Sequence, residues 1–257
     1  MGVQGVFTRE LDSALLSHQA DLAVHSLKDV PTVLPKGLLI AAVTERASPQ
    51  DILVHKPGFD PSKNEQAIIA TSSIRRKSQW LNRFPRHHMV NVRGNVETRL
   101  RKFDEEGWDG IIFAKAGLER LNLLPDNHTV LNWMLPAPAQ GAIAIVCREG
   151  EEGVYDACRK INHEETEVRV SVERDFLYHL EGGCSVPISA LASIDGDQII
   201  FHGKISSLDG KRHVEVKKTG TIDARKEIGQ AAAREIRQSG EGKGILEEFR
   251  KLNRNEQ

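Results

Sequence analysis

The sequence predicts an α/β fold for residues 1–160 and a small α+β domain for the rest of the chain. In the first part, short apolar runs alternate with amphipathic helical patterns, and one long amphipathic helix then opens the second part. Strand-like runs separated by Asp-Gly turns follow that helix. At about 150 residues per domain, a chain of 257 residues suggests two domains or three small ones.

Continuous apolar runs predict the buried strands of the first part, and amphipathic helices separate several of them. Buried strands that alternate with helices indicate a parallel sheet with helices on both faces, which is a doubly wound arrangement. The predicted helices span residues 73–83 and 95–105. The predicted strands span residues 20–25, 38–43, 51–54, 67–70, 89–92, 110–114 and 142–147.

A different pattern begins at residue 163. Val168, Val172, Phe176 and Leu180 recur at four-residue steps, which predicts one amphipathic helix over residues 163–180. The strand-like runs and hairpin turns that follow predict a three-stranded antiparallel sheet, and two helices close the chain. The strands are predicted over 187–194, 198–205 and 211–219, the turns at 195–197 and 209–210, and the helices over 223–238 and 245–252.

The composition excludes several classes of protein. Lys plus Arg total 35 against 36 for Asp plus Glu, a net charge of −1, which argues against a globally basic nucleic-acid coat. The longest apolar runs hold six residues, whereas a membrane span needs about 20. The 3 cysteines include no C-x-x-C pair, which argues against a disulfide framework or a zinc site. The opening sequence MGVQGVFTRE does not read as a signal peptide, so we expect a cytoplasmic protein without a metal.

One segment departs strongly from this neutral balance. Residues 71–101 hold eight basic side chains and one acid, Glu97. A solvated basic helix face is one explanation, and an anion site is the other. Arg75 and Arg76 lie in the first turn of a predicted helix, where a positive side chain opposes the helix dipole. The Thr-Ser-Ser sequence at 71–73 adds hydroxyl and backbone N–H groups at the same place, which favours a bound anion.

Other polar residues follow the carboxyl ends of predicted strands. Arg93 comes after one such strand, and Lys28 and Asp29 come after the first strand. Open α/β sheets place ligands outside the carboxyl ends of their strands. Nucleic acid would need aromatic side chains among the basic ones for stacking, whereas Trp80 and Phe84 have a spacing typical of a core. We therefore predict a small polyanionic ligand and no nucleic-acid partner.

Six motifs occur in an order that is typical of one family. On these motifs the chain resembles the porphobilinogen deaminases, also called hydroxymethylbilane synthases, and the resemblance extends from Gly5 to the C-terminal helices. The motifs are H-S-L-K-D-V-P at 25–31, T-S-S-I-R-R at 71–76, V-R-G-N-V-E-T-R-L at 92–100, A-G-L-E-R-L at 116–121, P-A-P-A-Q-G-A at 136–142 and E-G-G-C-S-V-P at 181–187.

The resemblance implies a transferase of tetrapyrrole biosynthesis, the route to haem and other porphyrins. Enzymes of this family join four porphobilinogen molecules into the linear hydroxymethylbilane and release ammonia at each step. The product grows on a dipyrromethane cofactor, which a thioether attaches to the protein. Each pyrrole ring carries two carboxylates, so a site rich in arginine forks fits such a ligand.

The matching positions also imply residue roles. Asp29 corresponds to the catalytic carboxylate, although the residues alone leave open that it pairs with Lys28 or caps a turn. Cys184 corresponds to the attachment point of the cofactor, and a buried thiol is the alternative for it. Cys147 and Cys158 are predicted to be buried small hydrophobes. Lys28, Ser73, Arg75 and Arg76 correspond to residues that hold the cofactor, and Arg93, Arg99 and Arg120 to residues that bind the incoming substrate.

The architecture implied by the resemblance has three domains, two of them doubly wound and similar to periplasmic binding proteins. The first comprises residues 1–46 and 141–161, the second residues 47–136, and the third, with the cofactor cysteine, residues 163–257. We expect the protein to bind porphobilinogen, to have no membrane partner and to be monomeric at full length.

Two departures from the family pattern bear on activity. The family usually has lysine where this chain has Gln4, and its members carry a preceding strand-helix-strand segment with an R-x-S-x-L-A signature that these residues do not supply. We therefore expect the chain alone to have a poorly ordered first domain and little turnover. The alternative function is a catalytically impaired anion-binding module with a fold similar to the periplasmic binding proteins.

Overall fold

The computed structural model describes the backbone of residues 6–180 and 186–255, and the side chains of residues 8–180 and 186–251. Within these ranges the strands form three separate sheets. The helices are α1 (Val6–Leu16), α2 (Ile74–Arg83), α3 (Val96–Glu105), α4 (Lys115–Arg120), α5 (Glu152–Arg159), α6 (Glu164–His179), α7 (Arg225–Gln238) and α8 (Gly240–Asn255). The strands are β1 (Leu22–Ser26), β2 (Leu38–Val43), β3 (Asp51–His55), β4 (Ile68–Ala70), β5 (His88–Val90), β6 (Gly110–Ala114), β7 (His128–Val130), β8 (Ile143–Arg148), β9 (Ile188–Asp195), β10 (Gln198–Ser206) and β11 (His213–Thr221).

The first sheet has the strand order β1-β8-β2, and both of its pairings are antiparallel. The parallel pairing predicted for this part of the chain is therefore wrong here, because β8 enters late in the sequence and lies between two strands that run the same way. On β1, Ala23 and His25 are buried, whereas Leu22 and Val24 are exposed. One face of this edge strand is thus open to solvent.

The second sheet has the order β5-β4-β6-β3-β7 and is mixed. Strand β4 runs parallel to β5 and β6, as predicted, whereas β3 runs antiparallel to both β6 and β7. The short strand β7 was not predicted, because its sequence His-Thr-Val has no continuous apolar run. The parallel arrangement of β4 and β5 brings their carboxyl ends to one edge of the sheet, from which α2 and α3 begin.

The third sheet confirms the predicted α+β domain. Its order is β11-β10-β9, and both pairings are antiparallel. Helices α6, α7 and α8 enclose an apolar core with it, in which the rings of Phe176 and Phe201 lie 5.1 Å apart. Helix α8 begins at Gly240, five residues before its predicted start. The first turn of α8 was not predicted because it contains several glycines, which are poor helix formers. Gly242 permits close packing there, since a Cβ at this position would lie 2.2 Å from the Ile236 carbonyl oxygen.

Two stretches of chain join the first and second sheets, residues 44–50 leading out and residues 131–142 leading back. They touch where Ala47 N donates a hydrogen bond to Gly141 O at 3.2 Å. Gly141 has a φ of +91°, and a Cβ there would lie 2.7 Å from Ala47 O, so this approach requires glycine. The domain bounds expected near these stretches stay a prediction.

Candidate active site

The loops after β4 and β5 lie side by side, and one serine hydroxyl joins them. Thr71 N donates to Val90 O at 2.9 Å. The Ser72 hydroxyl accepts a hydrogen bond from Val92 N at 3.0 Å and donates one to Val92 O. These contacts confirm that the T-S-S and V-R-G motifs share one edge of the sheet.

Ser73 is the N-cap of α2. Its hydroxyl accepts a hydrogen bond from Arg76 N at 3.4 Å, and its own N–H donates to Thr71 Oγ1 at 3.2 Å. The serine thereby satisfies one of the backbone donors that a helix start leaves open. The predicted contact of Ser73 with the cofactor stays a prediction, beside a capping role that the sequence analysis did not assign.

A buried carboxylate, Asp51 at the start of β3, joins the two arginines of α2. Its Oδ2 lies 2.7 Å from Arg75 Nη2, and its Oδ1 lies 2.8 Å from Arg76 Nη2. Gln140 Nε2 donates to the same Oδ1 at 2.9 Å. Burial alone would raise the pKa of Asp51, but the two guanidinium groups and the amide outweigh it and hold the pKa below the ordinary 3.8.

Both arginines are buried and are also held by backbone carbonyls. Arg75 Nη1 donates to Leu135 O at 2.8 Å, and Arg76 Nη1 donates to Ile112 O at 3.0 Å. We expected an external anion to offset these two charges, whereas the chain itself offsets part of them through Asp51. Sequence patterns alone did not assign Asp51 to the site. The sequence did contain an indication of its role, because Asp51 is an acidic residue at the start of an apolar strand. A carboxylate that is buried there needs polar or charged partners.

The 3-10 turn Leu27–Asp29, which follows β1, brings Lys28 to this arginine pair. Burial disfavours the ammonium charge and both arginines repel it, so the pKa of Lys28 falls from 10.5 to about 8. Asp29 and Asp51 oppose this shift only in part. Asp29 itself is exposed at the end of the turn. The structure therefore unites the K-D motif of the first sheet with the R-R motif of the second.

Arg99 joins the cluster from α3, where Asn95 is the N-cap. Its Nε donates to Gly94 O at 2.7 Å. Burial, and after it repulsion from Arg76, lowers the pKa of Arg99, which places its charge near the arginine pair. Arg93 is exposed in the same loop after β5. Lys28, Arg75, Arg76 and Arg99 are hereafter called the cationic cluster.

Arg120 contacts a different part of the chain. Its Nη2 donates to Gly141 O at 2.7 Å, so its hydrogen bond goes to the returning stretch between the sheets. Three further arginines of the basic segment lie on the surface, which agrees there with the solvated-face interpretation: Arg83 lies 5.0 Å from the Trp133 ring centroid, Arg86 pairs with Glu65 at 2.7 Å, and Arg101 pairs with Glu105 at 2.8 Å.

The predicted attachment point, Cys184, lies outside the described residues, as does Gln4. Helix α6 ends at His179 with Leu180 as its C-cap, shortly before that cysteine. Cys147 and Cys158 are buried, as predicted. Within the described ranges, no group of three or more His, Cys, Asp or Glu residues is arranged to hold a metal ion. None of the described helices is long and apolar enough to cross a membrane.

The cationic cluster fits an anionic ligand. The lowered pKa values of Lys28 and Arg99 show that burial and nearby positive charge together outweigh the carboxylates in contact with the cluster. A ligand carboxylate would relieve this repulsion and would accept hydrogen bonds from charged donors. A group that carries several carboxylates, such as a dipyrromethane, therefore suits these residues.

Two family models match the chain. "Porphobilinogen deaminase, dipyromethane cofactor binding domain" covers residues 1–156, and "Porphobilinogen deaminase, C-terminal domain" covers residues 168–238. The chain belongs to the porphobilinogen deaminase family. The resemblance found in the six motifs is thereby confirmed, and so is the dipyrromethane cofactor that the family uses.

Members of the porphobilinogen deaminase family align with nearly the whole chain. The porphobilinogen deaminase of Prochlorococcus marinus (strain NATL1A) is 41% identical over 258 residues, which cover 97% of this chain and 81% of the relative. The porphobilinogen deaminase of Syntrophomonas wolfei is 41% identical over 254 residues, covering 98% and 83%. Both relatives are therefore longer than the chain described here.

Solved structures show a much lower similarity than these porphobilinogen deaminases. The periplasmic VFT2 domain of BvgS from Bordetella pertussis has a TM-score of 0.37 and 16% identity, over 60% of this chain and 66% of that one. The second substrate-binding domain of a putative amino acid ABC transporter from Streptococcus pneumoniae has a TM-score of 0.40 and 9% identity, over 58% and 67%. The α/β fold class is confirmed by the sheets described above.

Proposed function

We propose that this chain joins four porphobilinogen molecules into hydroxymethylbilane, with release of ammonia at each addition, as a transferase of tetrapyrrole biosynthesis. The observation that carries the proposal is the 41% identity to a porphobilinogen deaminase over 97% of the chain. The cationic cluster supports the same function, because porphobilinogen is a dicarboxylate. The family match favours this enzyme over a module that only binds anions.

When bound through Cys184, the dipyrromethane supplies the pyrrole carbon on which the product grows. We assign its carboxylates to Lys28, Arg75 and Arg76, with Ser73 beside them at the start of α2. Because Asp51 and two backbone carbonyls already fix both guanidinium groups, these arginines lose little side-chain entropy when a ligand binds.

The incoming porphobilinogen is assigned to three other arginines. Arg99 belongs to the cationic cluster, and Arg93 is exposed in the loop that precedes α3. Arg120 holds the returning stretch at Gly141, next to the contact between the two connecting stretches. As the product lengthens, each new ring adds carboxylates, and arginines at more than one place suit that growing charge.

Asp29 performs the chemistry in this proposal. When ammonia leaves, positive charge develops on the methylene carbon of porphobilinogen and spreads to its pyrrole nitrogen. A carboxylate held beside that ring accepts a hydrogen bond from the pyrrole N–H and stabilises the charge. It also takes up the proton that the attacked ring carbon loses and can pass that proton to the next departing amine. Asp29 is exposed at the end of its turn, next to Lys28, where a ligand at the cationic cluster can reach it.

Porphobilinogen consumption by the purified 257-residue chain is the decisive experiment. The assay is run with and without an added N-terminal segment from a family member, and the intact mass is measured after reconstitution with porphobilinogen. We expect a dipyrrole adduct on Cys184 and formation of hydroxymethylbilane in at least the supplemented mixture. A bare chain with no consumption in either mixture would instead identify an anion-binding module.

The proposal includes a monomeric protein that works in the cytoplasm. Light scattering coupled to gel filtration tests the first part, and the mass of a single chain is expected across the accessible concentration range. Fractionation of the source cells tests the second part. A stable dimer, or recovery of the protein with membranes, would contradict this part of the proposal without affecting the assigned reaction.

A further inference from the structure

Arg174, on α6, reaches the turn that carries Lys28 and Asp29. Its Nη1 donates to Val30 O at 2.9 Å and lies 3.4 Å from Leu27 O. Its Nη2 donates to Pro31 O at 2.7 Å. One guanidinium group of α6 thus holds the first carbonyl of the 3-10 turn and the two carbonyls that directly follow the turn.

This arrangement is costly for stability. Burial lowers the pKa of Arg174 to about 10, because the partners that surround its charge are neutral carbonyls. Among the described residues, no carboxylate lies within ion-pair distance of it. Arg174 is half-buried. Removing part of a cation's surface from water without a counter-ion is unfavourable, and an apolar side chain at this position would avoid that cost. An apolar side chain could not bind the carbonyls, however, whereas the planar guanidinium group of arginine can donate hydrogen bonds to several oxygens at once.

The helix that carries Arg174 is itself firmly held. The preceding residue, Glu173, accepts hydrogen bonds from Arg46 Nη1 at 2.6 Å, Ala139 N at 2.6 Å and Ala192 N at 2.8 Å. The next turns of the same helix end at Leu180, from which the chain runs on to Cys184. One rigid helix therefore contacts the turn of Asp29 and leads to the cysteine assigned to the cofactor.

We propose that Arg174 is a positioning residue, which fixes the Leu27–Asp29 turn on α6 so that the Asp29 carboxylate stands in register with the cofactor. This inference rests on the function proposed above. Arg174 acts through the backbone of the turn and touches neither substrate nor cofactor. Without the Arg174 guanidinium group, the turn stays attached to the sheet, but the Asp29 carboxylate can shift by a fraction of an ångström. A displacement of that size is enough to slow catalysis.

The test compares Arg174→Gln and Arg174→Lys with the control Arg169→Gln. Arg169 lies on the same helix, and its side chain contacts Glu165 and Thr166 of that helix. Backbone amide exchange is measured over residues 27–30, together with the pH dependence of Lys28 acetylation by trace acetic anhydride. For Arg174→Gln we expect exchange in the turn to speed up about tenfold. We also expect half-maximal acetylation to move upward from about pH 8, and the control to match the wild type.

Turnover provides the second readout. In the form that consumes porphobilinogen, Arg174→Gln should lower kcat by about 10- to 100-fold with KM nearly unchanged, as expected for a misplaced catalytic group. Arg174→Lys should recover part of the loss, since an ammonium can still bond one or two of the carbonyls. If the glutamine variant fails to fold, the lysine variant carries the comparison.

Unchanged amide exchange in residues 27–30 would overturn the proposal, even if turnover fell. Equal effects from Arg169→Gln would overturn it too, because they would show a general response of α6. Exchange and acetylation do not depend on catalysis. A wild-type chain without turnover would therefore contradict the proposed function, while the two physical readouts would still decide the role of Arg174.

Discussion

Asp51 has no exposed surface and serves two arginines and an amide at once. Replacing it by asparagine keeps the shape and removes the charge, which leaves two buried guanidinium groups without a counter-ion. We expect Asp51→Asn to lower the free energy of unfolding by about 3 kcal/mol at pH 7. Urea unfolding measures this change, and the exposed Glu65→Gln is the control that should change it little.

The pH dependence of the same variant has a definite sign. Because the folded-state pKa of Asp51 is held below 3.8, its contribution to stability is present above that pH and is lost as the pH falls through the folded value. The difference between wild type and Asp51→Asn should therefore shrink below about pH 3.8. A constant difference from pH 7 to pH 2 would show that Asp51 stabilises the fold through its shape alone.

Lys28 has the opposite effect on stability. Its pKa falls from 10.5 in the unfolded chain to about 8 in the folded protein, so its charge costs stability below pH 8 and this cost is relieved between pH 8 and 10.5. We expect Lys28→Met to be more stable than wild type at pH 7 by roughly 1–3 kcal/mol, and to lose anion binding. Unfolding at pH 7 and pH 9 checks the difference, with the exposed Lys226→Met as control.

Asp29 should matter for turnover and little for the fold, because its side chain is exposed. We expect Asp29→Asn to retain the cofactor adduct and the wild-type melting temperature, while turnover of porphobilinogen falls by about 10²- to 10³-fold or more, as when a charge-stabilising group is removed. Asp104→Asn, an exposed change on α3, is the control. Near-normal turnover of Asp29→Asn would remove this residue from the mechanism.

At the cationic cluster, the basic side chains were predictable from the sequence, but the residues that pair with them were not. The arginines of α2 were predictable from the charge excess and from their place after β4. Asp51 and Gln140 were not, because they reach the site from a neighbouring strand and from a connecting stretch far away in sequence. Arg174 was missed for the same reason, since its targets precede it by more than 140 residues.

Among the elements, α2 shows how a turn of one sheet can fix a helix of another. Asn82 Nδ2 donates to Gly210 O at 2.8 Å, so the turn between β10 and β11 rests on the helix that carries Arg75 and Arg76. At Gly210 φ is +73°, and a Cβ would lie 2.2 Å from Ser78 O. The sequence predicted this turn from Asp-Gly, but nothing in a hairpin signal indicates what the turn will contact.

Two glycine turns of the third sheet allow a matched comparison. Gly196 has a φ of +60° with nothing near its Cβ position, so Gly196→Ala should cost about 1 kcal/mol from backbone strain alone. Gly210→Ala should cost a further 1–3 kcal/mol, roughly, because the methyl group must push α2 away. Thermal unfolding of both variants measures the difference. Equal losses would mean that α2 yields at no cost.

The pairing of strands within sheets was predicted less well than the strands themselves. Most predicted strands and helices begin and end within one or two residues of the observed bounds. The direction of β3 and β8 was wrong, because apolar runs look alike in parallel and antiparallel sheets. Their neighbours are set by contacts that join residues about 60 to 120 positions apart.

For the whole molecule, Glu173 is a residue that joins three separate parts of the chain. It has no exposed surface and pairs with Arg46, which leads out of the first sheet, while it accepts amide hydrogen bonds from Ala139 and Ala192. These contacts join both connecting stretches to the third sheet. The sequence contained one indication that Glu173 is buried, namely its place next to the apolar stripe of α6.

We expect Glu173→Gln to lower stability by about 3–5 kcal/mol, because Arg46 would remain buried without its counter-ion. The Glu173–Arg46 contact joins parts of the chain that have separate hydrophobic cores. The variant should therefore unfold in two transitions, whereas the wild type unfolds in one. Differential scanning calorimetry resolves this, with the exposed Glu165→Gln as control. A single, unshifted transition would show that the sheets are coupled elsewhere.

The place of β8 in the first sheet has a consequence for synthesis on the ribosome. β1 and β2 are complete early, yet each pairs with β8, whose residues 143–148 emerge about a hundred positions later. The nascent chain must therefore carry two unpaired strands while the entire second sheet is being made. A sheet whose central strand is synthesised last depends on long-range contacts and forms slowly. Until β8 is made, the unpaired strands can aggregate or bind chaperones. The rate at which ribosomes translate residues 44–142, between β2 and β8, thus sets how long the cell must protect these two strands.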